Sequence, residues 1–429
     1  MAKSTQQSTQ YRRITGMRDV LFEEQRYWRF IYQKIQETVD LFGYQRIDTP
    51  VLEPAQLFIR GVGQGTDIVE KEMYLFEDRD GDWLALRPEF TAGIMRAYIE
   101  NGLHTLPAPL RLWTIGPLFR HERPQAGRYR QHTQFDIEVI GEQDPAVDVE
   151  IISVALHLFT SLGFKGLRLY ANSTGCPACR PGYVQKLVDY FTAYADTLPA
   201  DDQMRLKKNP LRILDSKEEA TRPLLENAPR ITDHLCPDCA AHFERFRDYL
   251  DAIDQPYQVD FRLVRGLDYY TKTVFEIKAD GLGSQDTICG GGRYDGLIEE
   301  LGGKPTPGIG FGSGIERYVL AMQYLGIEPP ETPHPQVAVH YLGDAAKRVA
   351  LKLADDLRRH GIRAQLTPGD RSLKAQLKAA NRMNALYSVI LGEDEVQAGQ
   401  AAVRSLKDSQ QETVALAQLV GWLSRQLES

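Results

Sequence analysis

Four arginines, Arg120, Arg123, Arg128 and Arg130, fall within eleven residues of the segment Phe119-Arg120-His121-Glu122-Arg123-Pro124-Gln125-Ala126-Gly127-Arg128-Tyr129-Arg130. A turn-like Gln125-Ala126-Gly127 sits among them. A hairpin holds guanidinium forks at fixed positions, and the fork matches phosphate geometry, so this is a candidate polyphosphate site. A solvated hairpin tip would have the same composition. In Leu86-Arg87-Pro88-Glu89-Phe90-Thr91, a carboxylate and a hydroxyl two residues apart on extended chain point the same way. That pair could hold an ammonium group. In Val264-Arg265-Gly266-Leu267-Asp268-Tyr269-Tyr270-Thr271 a charge follows an apolar run, then come a glycine and two tyrosines. The alternative there is a strand end with aromatic packing.

Two glycine-rich segments follow. Cys289-Gly290-Gly291-Gly292-Arg293-Tyr294-Asp295 lets the backbone come close to something, or only bends. In Gly308-Ile309-Gly310-Phe311-Gly312-Ser313-Gly314-Ile315-Glu316-Arg317, alternate glycines leave one strand face bare, where a flat ring could lie. A helix is expected to start near Ile315, with Arg317 in its first turn. A cation is unfavourable there, so an anion is expected nearby unless Glu316 is its local partner.

Cys176-Pro-Ala-Cys179 and Cys236-Pro-Asp-Cys239 are two knuckles of equal spacing. Together they are expected to hold one structural Zn²⁺ as a closed Cys₄ tetrahedron with no open position. The pairs are 56 residues apart, longer than the roughly 15–20 of a zinc ribbon. Four reduced thiols lying near one another is the alternative. Cys289 stands apart and is not expected to be a ligand.

These segments need elements to hold them. The chain has 429 residues, 42% hydrophobic and 25% charged, as in a globular protein of two to four domains. Its net charge of −7 argues against broad binding to nucleic acid but leaves room for a local basic surface. No apolar run is long enough for a membrane span. Met1 to Gln10, Ser/Thr/Gln-rich, reads as a loose tail and not as a secretory signal, so the five cysteines point to reduced thiols or metal.

Trp28, Ile31, Ile35, Val39 and Phe42 make one apolar stripe, predicting a helix over 23–42 that Gly43 stops. Trp83–Leu86, Leu110–Ile115 and Phe135–Ile140 read as strands of an antiparallel sheet. Residues 148–162 read as a helix, and Leu167–Ala171, Val259–Val264 and Thr273–Lys278 as strands. Between them, 173–256 is a helix-rich insertion bracketed by the cysteine knuckles. Residues 328–335 hold four prolines in eight positions and mark a linker. Beyond it, strands at Gln336–Tyr341, Arg363–Leu366 and Ala385–Leu391 alternate with helices at 344–360, 372–381 and 412–427. That order predicts a small α/β domain with a mostly parallel sheet.

Taken in this order, the segments resemble the histidyl-tRNA synthetase family from about Gly16 to the C-terminus. The helix over 23–42, the strand-like Tyr44 to Asp48 that follows it and the closing Pro50 look like class II motif 1, the dimer-forming element. Arg111–Gly141, with FRHERPQAGRYRQ at its centre, looks like motif 2, and GIGFGSGIER like motif 3. RGLDYY and GGGRYDGL look like the two histidine-specific signatures.

The resemblance implies an α+β catalytic domain over 1–327, an antiparallel sheet flanked by helices and carrying the helical insertion 173–256. The linker 328–335 would lead to an α/β anticodon-binding domain over 336–429. It implies a cytoplasmic homodimer that ligates L-histidine to tRNA(His) through an adenylate, using ATP with Mg²⁺. By position, Arg120, Arg128 and Arg317 match ATP-binding residues, and Arg120 and Arg265 match groups acting on the α-phosphate. Glu89, Thr91 and Gln134 match residues around the histidine ammonium. Glu138 and Tyr270 match the pair that grips the imidazole, and Tyr294 lines the same pocket. Arg371, Lys374, Lys378 and Arg382, spaced three, four and four, form a basic helical stripe. It is expected either to be a solvated face or to meet the phosphates of the anticodon arm. Two other readings share parts of this pattern. One is the regulatory paralogue of ATP phosphoribosyltransferase, which typically lacks the anticodon domain. The other is a class II synthetase for another amino acid, which would not carry both signatures.

Overall fold

The computed structural model describes residues 11–63, 66–280, 286–369 and 371–428. The expected tail, Met1 to Gln10, lies outside them. The chain divides into two compact units, Met1–Pro330 and Glu331–Ser429.

The first unit is built on an eight-stranded sheet. Its strands run in the order Gln45–Arg46, Leu110–Phe119, Gln131–Ile140, Gly308–Gly314, Thr287–Arg293, Thr271–Lys278, Arg168–Ser173 and Gln258–Val259. Inner neighbours are antiparallel, and the two short edge strands pair in parallel. Side chains on a strand alternate between faces. Phe135, Ile137 and Val139 therefore enter the main core on one face, with Tyr27, Trp28, Ile31, Ile35 and Val39 of the helix Phe22–Leu41. Helices Ala146–Ser161, Pro237–Ala252 and Ile315–Tyr324 complete that layer. Gln134, Asp136 and Glu138 face the other way, toward the helix Thr91–Glu100 and a smaller cluster holding Phe90, Tyr269, Tyr270 and Tyr294.

The insertion leaves the sheet after Arg168–Ser173 and returns before its antiparallel neighbour Thr271–Lys278. It is helical, as its polar sequence predicts, with a small core of Tyr183, Leu187, Phe191, Leu198, Ile213 and Ile231. Its last helix, Pro237–Ala252, lays Phe243, Phe246 and Leu250 into the main core instead.

Three expectations are corrected. Trp83–Leu86 is a strand, but it pairs with Leu52–Pro54 and Tyr74–Glu77 in a separate three-stranded sheet. Of the expected Val259–Val264 strand only Val259 is in a strand, the two-residue Gln258–Val259. The Asp260 side chain accepts the Arg262 N–H at 3.0 Å, and that local turn breaks the strand. In the second unit, the sheet order places Ala364–Leu366, Val337–Tyr341 and Tyr387–Leu391 in parallel, as predicted. An unforeseen antiparallel hairpin, Gln400–Ser405 with Gln411–Ala415, then joins the edge. It takes the first residues of the expected 412–427 helix, which begins at Leu416. Among the described residues no helix is long and apolar enough to cross a membrane.

Candidate active site

Gln134, Asp136 and Glu138 stand side by side on the sheet face opposite the main core, opposite glycines of the neighbouring strand. Gln134 pairs with Gly314, Asp136 with Gly312 and Glu138 with Gly310. A side chain at Gly310 would collide with the Glu138 carboxylate and one at Gly312 with the Gln134 amide. The bare strip predicted from the alternate glycines is thus room for the site's own side chains. Gly290 serves Arg265 in the same way, since a Cβ there would lie 2.5 Å from its guanidinium.

Glu138 is buried. One of its oxygens accepts the Thr91 hydroxyl at 2.7 Å, and the other accepts the Tyr294 hydroxyl. Burial pushes its carboxyl well above the usual range, and the nearby Asp136 and Glu89 push the same way. Asp136 is also buried and pushed up to about 8, by burial first and then by Glu89. One Asp136 oxygen accepts the Gln134 amide at 3.0 Å, and the other has no partner. Glu89, raised by burial, takes the backbone N–H groups of Thr91 and Ala92 at 2.8 and 2.9 Å, so it caps the helix Thr91–Glu100. Three buried carboxyls, of which Asp136 and Glu138 are raised further by their neighbours, make a pocket suited to a cationic or hydrogen-donating group.

The aromatic wall comes from both histidine-like signatures. Tyr269 packs on Tyr270 and Tyr294, with ring centroids 4.9 and 5.8 Å apart. Tyr294, not Tyr270, bonds Glu138, while Tyr270 turns its ring toward Arg265, 6.0 Å from the guanidinium carbon. The residue before Tyr294 has a different task. Arg293 is fully buried, donates to Asp148 at 2.7 Å and to the carbonyls of Glu142 and Asp144, and so anchors the strand end.

The arginines gather beside this pocket. Arg265 donates to Glu276 at 2.6 Å, while its buried Nε has no partner. Arg317 donates to the Thr287 carbonyl at 2.7 Å. Burial lowers its pKa, and so do the neighbouring charges of Arg128 and Arg265. Mutually repelling guanidiniums favour a polyanion among them. Glu316 is not the local partner of Arg317, because both its oxygens accept the Thr133 N–H, at 2.9 and 3.0 Å. Arg120 donates from Nε to the Pro88 carbonyl at 2.8 Å, and its charge reaches Glu89 and Asp136. Two groups here stand outside the sequence expectations. Asp136 was legible only as the middle of an alternating Gln134, Asp136, Glu138 face. Glu276, the partner of Arg265, carries no local signal.

Far from this pocket in sequence, the four cysteines meet. The sulfurs of Cys176, Cys179, Cys236 and Cys239 all lie within 4.8 Å of one another. Cys176 Sγ is 3.8 Å from both Cys179 Sγ and Cys236 Sγ. Burial opposes ionisation of Cys176, but the backbone N–H groups of Cys179 and Ala178 outweigh it and draw the thiol down to about 7. Cys289 is buried apart from the cluster. In the second unit, Arg371, Lys374, Lys378 and Arg382 are exposed, on and just before the helix Leu373–Arg382. The opposite face of that helix buries Gln376, whose amide bonds the Tyr341 backbone.

A family model described as histidyl-tRNA synthetase matches residues 16–175 and 193–318. A second, described as an anticodon binding domain, matches 336–426. A histidine–tRNA ligase of Dehalococcoides mccartyi is 50% identical over 417 residues, 97% of this chain and 100% of that protein. One from Desulforamulus reducens is 48% identical over 95% of this chain and 97% of its own length. Among solved structures, apo histidyl-tRNA synthetase of S. aureus aligns with a TM-score of 0.81 at 36% identity, covering 96% of this chain and 100% of that one.

Proposed function

Since the chain belongs to the histidyl-tRNA synthetase family, we propose that the buried carboxyl pocket receives histidine and the adjoining arginines receive ATP. The chain ligates histidine to tRNA(His) at the expense of ATP. The observation that carries the residue assignment is the placement of the raised Asp136 and Glu138 carboxyls beside a cluster of mutually repelling arginines. ATP–pyrophosphate exchange with each of the twenty amino acids tests it. Exchange with histidine alone is the expected result, and equal exchange with another amino acid overturns it.

In this reading the histidine carboxylate attacks the α-phosphorus of ATP, pyrophosphate leaves, and no covalent enzyme intermediate forms. The protein's share is positioning and charge stabilisation. Arg120 spans the two halves, near Glu89 on one side and the phosphates on the other. Arg265 serves the α-phosphate, and Arg317 with Arg128 the β- and γ-phosphates, to which Mg²⁺ comes bound. Glu138, held by Thr91 and Tyr294, accepts one imidazole N–H, and the Tyr270 hydroxyl meets the other ring nitrogen. Gln134 and Thr91 lie toward the α-ammonium, while the Glu89 charge acts from behind the helix it caps. A hydroxyl of the 3′-terminal ribose of the tRNA then attacks the carbonyl carbon of the adenylate, the ester forms, the acyl–phosphate bond breaks with AMP leaving, and the hydroxyl proton is released. A pocket that satisfies both ring nitrogens leaves polar groups unpaired when another side chain enters, which discriminates by roughly 10⁴–10⁵.

The cysteine cluster fits zinc. Four thiolates at about 2.3 Å from a tetrahedral Zn²⁺ stand about 3.8 Å from one another, which is the separation of Cys176 Sγ from Cys179 Sγ and Cys236 Sγ. Cys176, Cys179, Cys236 and Cys239 would fill all four positions, so the metal would tie the two ends of the insertion without touching substrate. Protein purified without chelator is expected to contain one zinc per chain by elemental analysis. The Cys176→Ser, Cys236→Ser double variant is expected to contain almost none. Clearly sub-stoichiometric zinc in the wild type would refute the site.

The basic stripe of the second unit is assigned to the tRNA backbone. Lys374→Glu with Lys378→Glu is expected to raise the tRNA KM about tenfold or more, to flatten its salt dependence, and to leave pyrophosphate exchange unchanged. Charging with an unaltered tRNA KM would return the stripe to a solvated face. We assign the cytoplasm as the compartment and a homodimer as the working form, through the edge of the large sheet at Gln45–Arg46. Exposed Leu41, Val51, Leu52 and Leu106 near that edge support self-association.

A further inference from the structure

We propose that Arg180 is a positioning residue for Tyr270, carrying the fold of the cysteine knuckle into the histidine pocket. This rests on the reading above that Tyr270 meets the imidazole. Arg180 is the residue after Cys179 and opens the helix Arg180–Thr192. Its backbone N–H donates to the Cys176 carbonyl at 2.9 Å, so the knuckle sets where its side chain starts. The guanidinium then reaches back across the knuckle. Nε donates to the Thr174 carbonyl at 3.0 Å. One terminal nitrogen is shared between the Thr174 hydroxyl at 3.2 Å, the Gly175 carbonyl at 3.3 Å and the carbonyl of Tyr270.

None of these acceptors is a carboxylate, and the side chain is partly buried. A partly desolvated cation bonded only to neutral acceptors is costly. What it secures here is backbone: three carbonyls from two segments 95 residues apart in sequence, Gly175 and Tyr270, converge on one fork. Two further bonds fasten the same junction. Lys272 N–H donates to the Gly175 carbonyl and Thr174 N–H to the Lys272 carbonyl, both at 2.7 Å. Lys272 adopts φ +49°, a left-handed conformation rare outside glycine. The strand bulges there, two residues after Tyr270, and Arg180 holds the Tyr270 carbonyl on its near side. Loosening that carbonyl lets the peptide plane rotate and carries the Tyr270 ring off its wall against Tyr269. The Arg180 side chain itself bonds none of Arg120, Arg128, Arg265 and Arg317.

The test uses the full chain. Arg180→Ala, Arg180→Lys, Tyr270→Phe and the Arg180→Ala, Tyr270→Phe double variant are compared with wild type in pyrophosphate exchange, with thermal melting as a check on folding. Arg180→Ala is expected to raise the histidine KM about tenfold, ~1.4 kcal/mol, and to move the ATP KM by less than about twofold. Lysine keeps the charge and one donor nitrogen but not the fork, so Arg180→Lys is expected to recover part of the affinity, and it carries the test should the alanine variant not fold. In the double variant the Arg180 effect should largely vanish, because the two residues act through one contact. A histidine KM unchanged in Arg180→Ala but raised in Tyr270→Phe overturns the brace alone. Equal rises in both KM values, with a lowered melting temperature, overturn it as well, in favour of a general structural role. An unchanged histidine KM in Tyr270→Phe overturns the pocket reading and the brace with it.

Discussion

Replacing Arg265 by alanine is expected to slow adenylate formation by about 10²–10³-fold, the usual worth of one fixed charge contact to a transition state. The wild-type side chain is already prepared for the task. Glu276 grips one terminal nitrogen at 2.6 Å, Gly290 gives it a bare backbone to lie across, and its Nε is buried with no partner in the protein. A donor kept in place without an acceptor is a preorganised one. The expected split follows from where the charge develops. Negative charge builds on the phosphate in the transition state, so kcat for pyrophosphate exchange should fall far more than histidine affinity. Single-turnover adenylate formation and equilibrium histidine binding measure the two separately. Arg265→Lys restores a cation but not the fork held by Glu276, and so should recover only a part. Intact activation with failed transfer to tRNA would remove Arg265 from the α-phosphate. A Gly290→Ala variant offers a second route to the same result, since its methyl would displace the guanidinium without removing it.

How much of this was legible in the sequence differs from motif to motif. Periodicity located the helix Phe22–Leu41 and the long strands, because the apolar stripe Trp28, Ile31, Ile35 and Val39 and the alternating Phe135, Ile137 and Val139 are local records of burial. The resemblance picked out Glu138, Arg265 and Tyr294 by type. It did not distribute their contacts. Glu89 was expected near the ammonium, yet both its oxygens are spent on the N–H groups of a helix start that no cap residue in the preceding turn announces. The partner of Glu138 is set by sheet register, which brings Gly310 opposite it and leaves Tyr294 free to reach over. Register is a long-range property, and a single motif does not contain it. The hairpin Gln400–Ser405 with Gln411–Ala415 was missed for a nearer reason. Its strands are short and half polar, and the turn depends on Ser409 at φ +64°, a position usually signalled by glycine or asparagine. The cysteines were the opposite case: 56 residues of the insertion separate the pairs, and the sulfurs still converge.

Removing one member of the buried Arg293–Asp148 pair is expected to destabilise the first unit by about 3–5 kcal/mol, more than any surface change. Both side chains are fully buried. Asp148 receives the Arg293 guanidinium at 2.7 Å and the His242 ring at 2.9 Å, so one carboxylate joins the glycine-rich strand, the helix Ala146–Ser161 and the last helix of the insertion. Burial alone would raise this carboxyl, but Arg293 and His242 overcome it and hold the group below its ordinary range. A depressed carboxyl contributes stability that is present above its unfolded value, about 3.9, and is lost as pH falls through the lower folded value. Urea unfolding followed by tryptophan fluorescence, with Trp83 and Trp422 replaced by Phe so that Trp28 and Trp113 of the main core report, reads the effect. Arg293→Met is expected to lower the midpoint strongly at neutral pH, because it strands the Asp148 charge beside His242 alone. Pairing it with Asp148→Leu should recover much of the loss, since two apolar side chains leave no orphaned charge. The single variant should also weaken histidine binding, because the residue after Arg293 is Tyr294, whose hydroxyl holds Glu138. A midpoint unchanged by Arg293→Met would show that the pair contributes nothing net, and that GGGRYDG serves the pocket through Tyr294 alone.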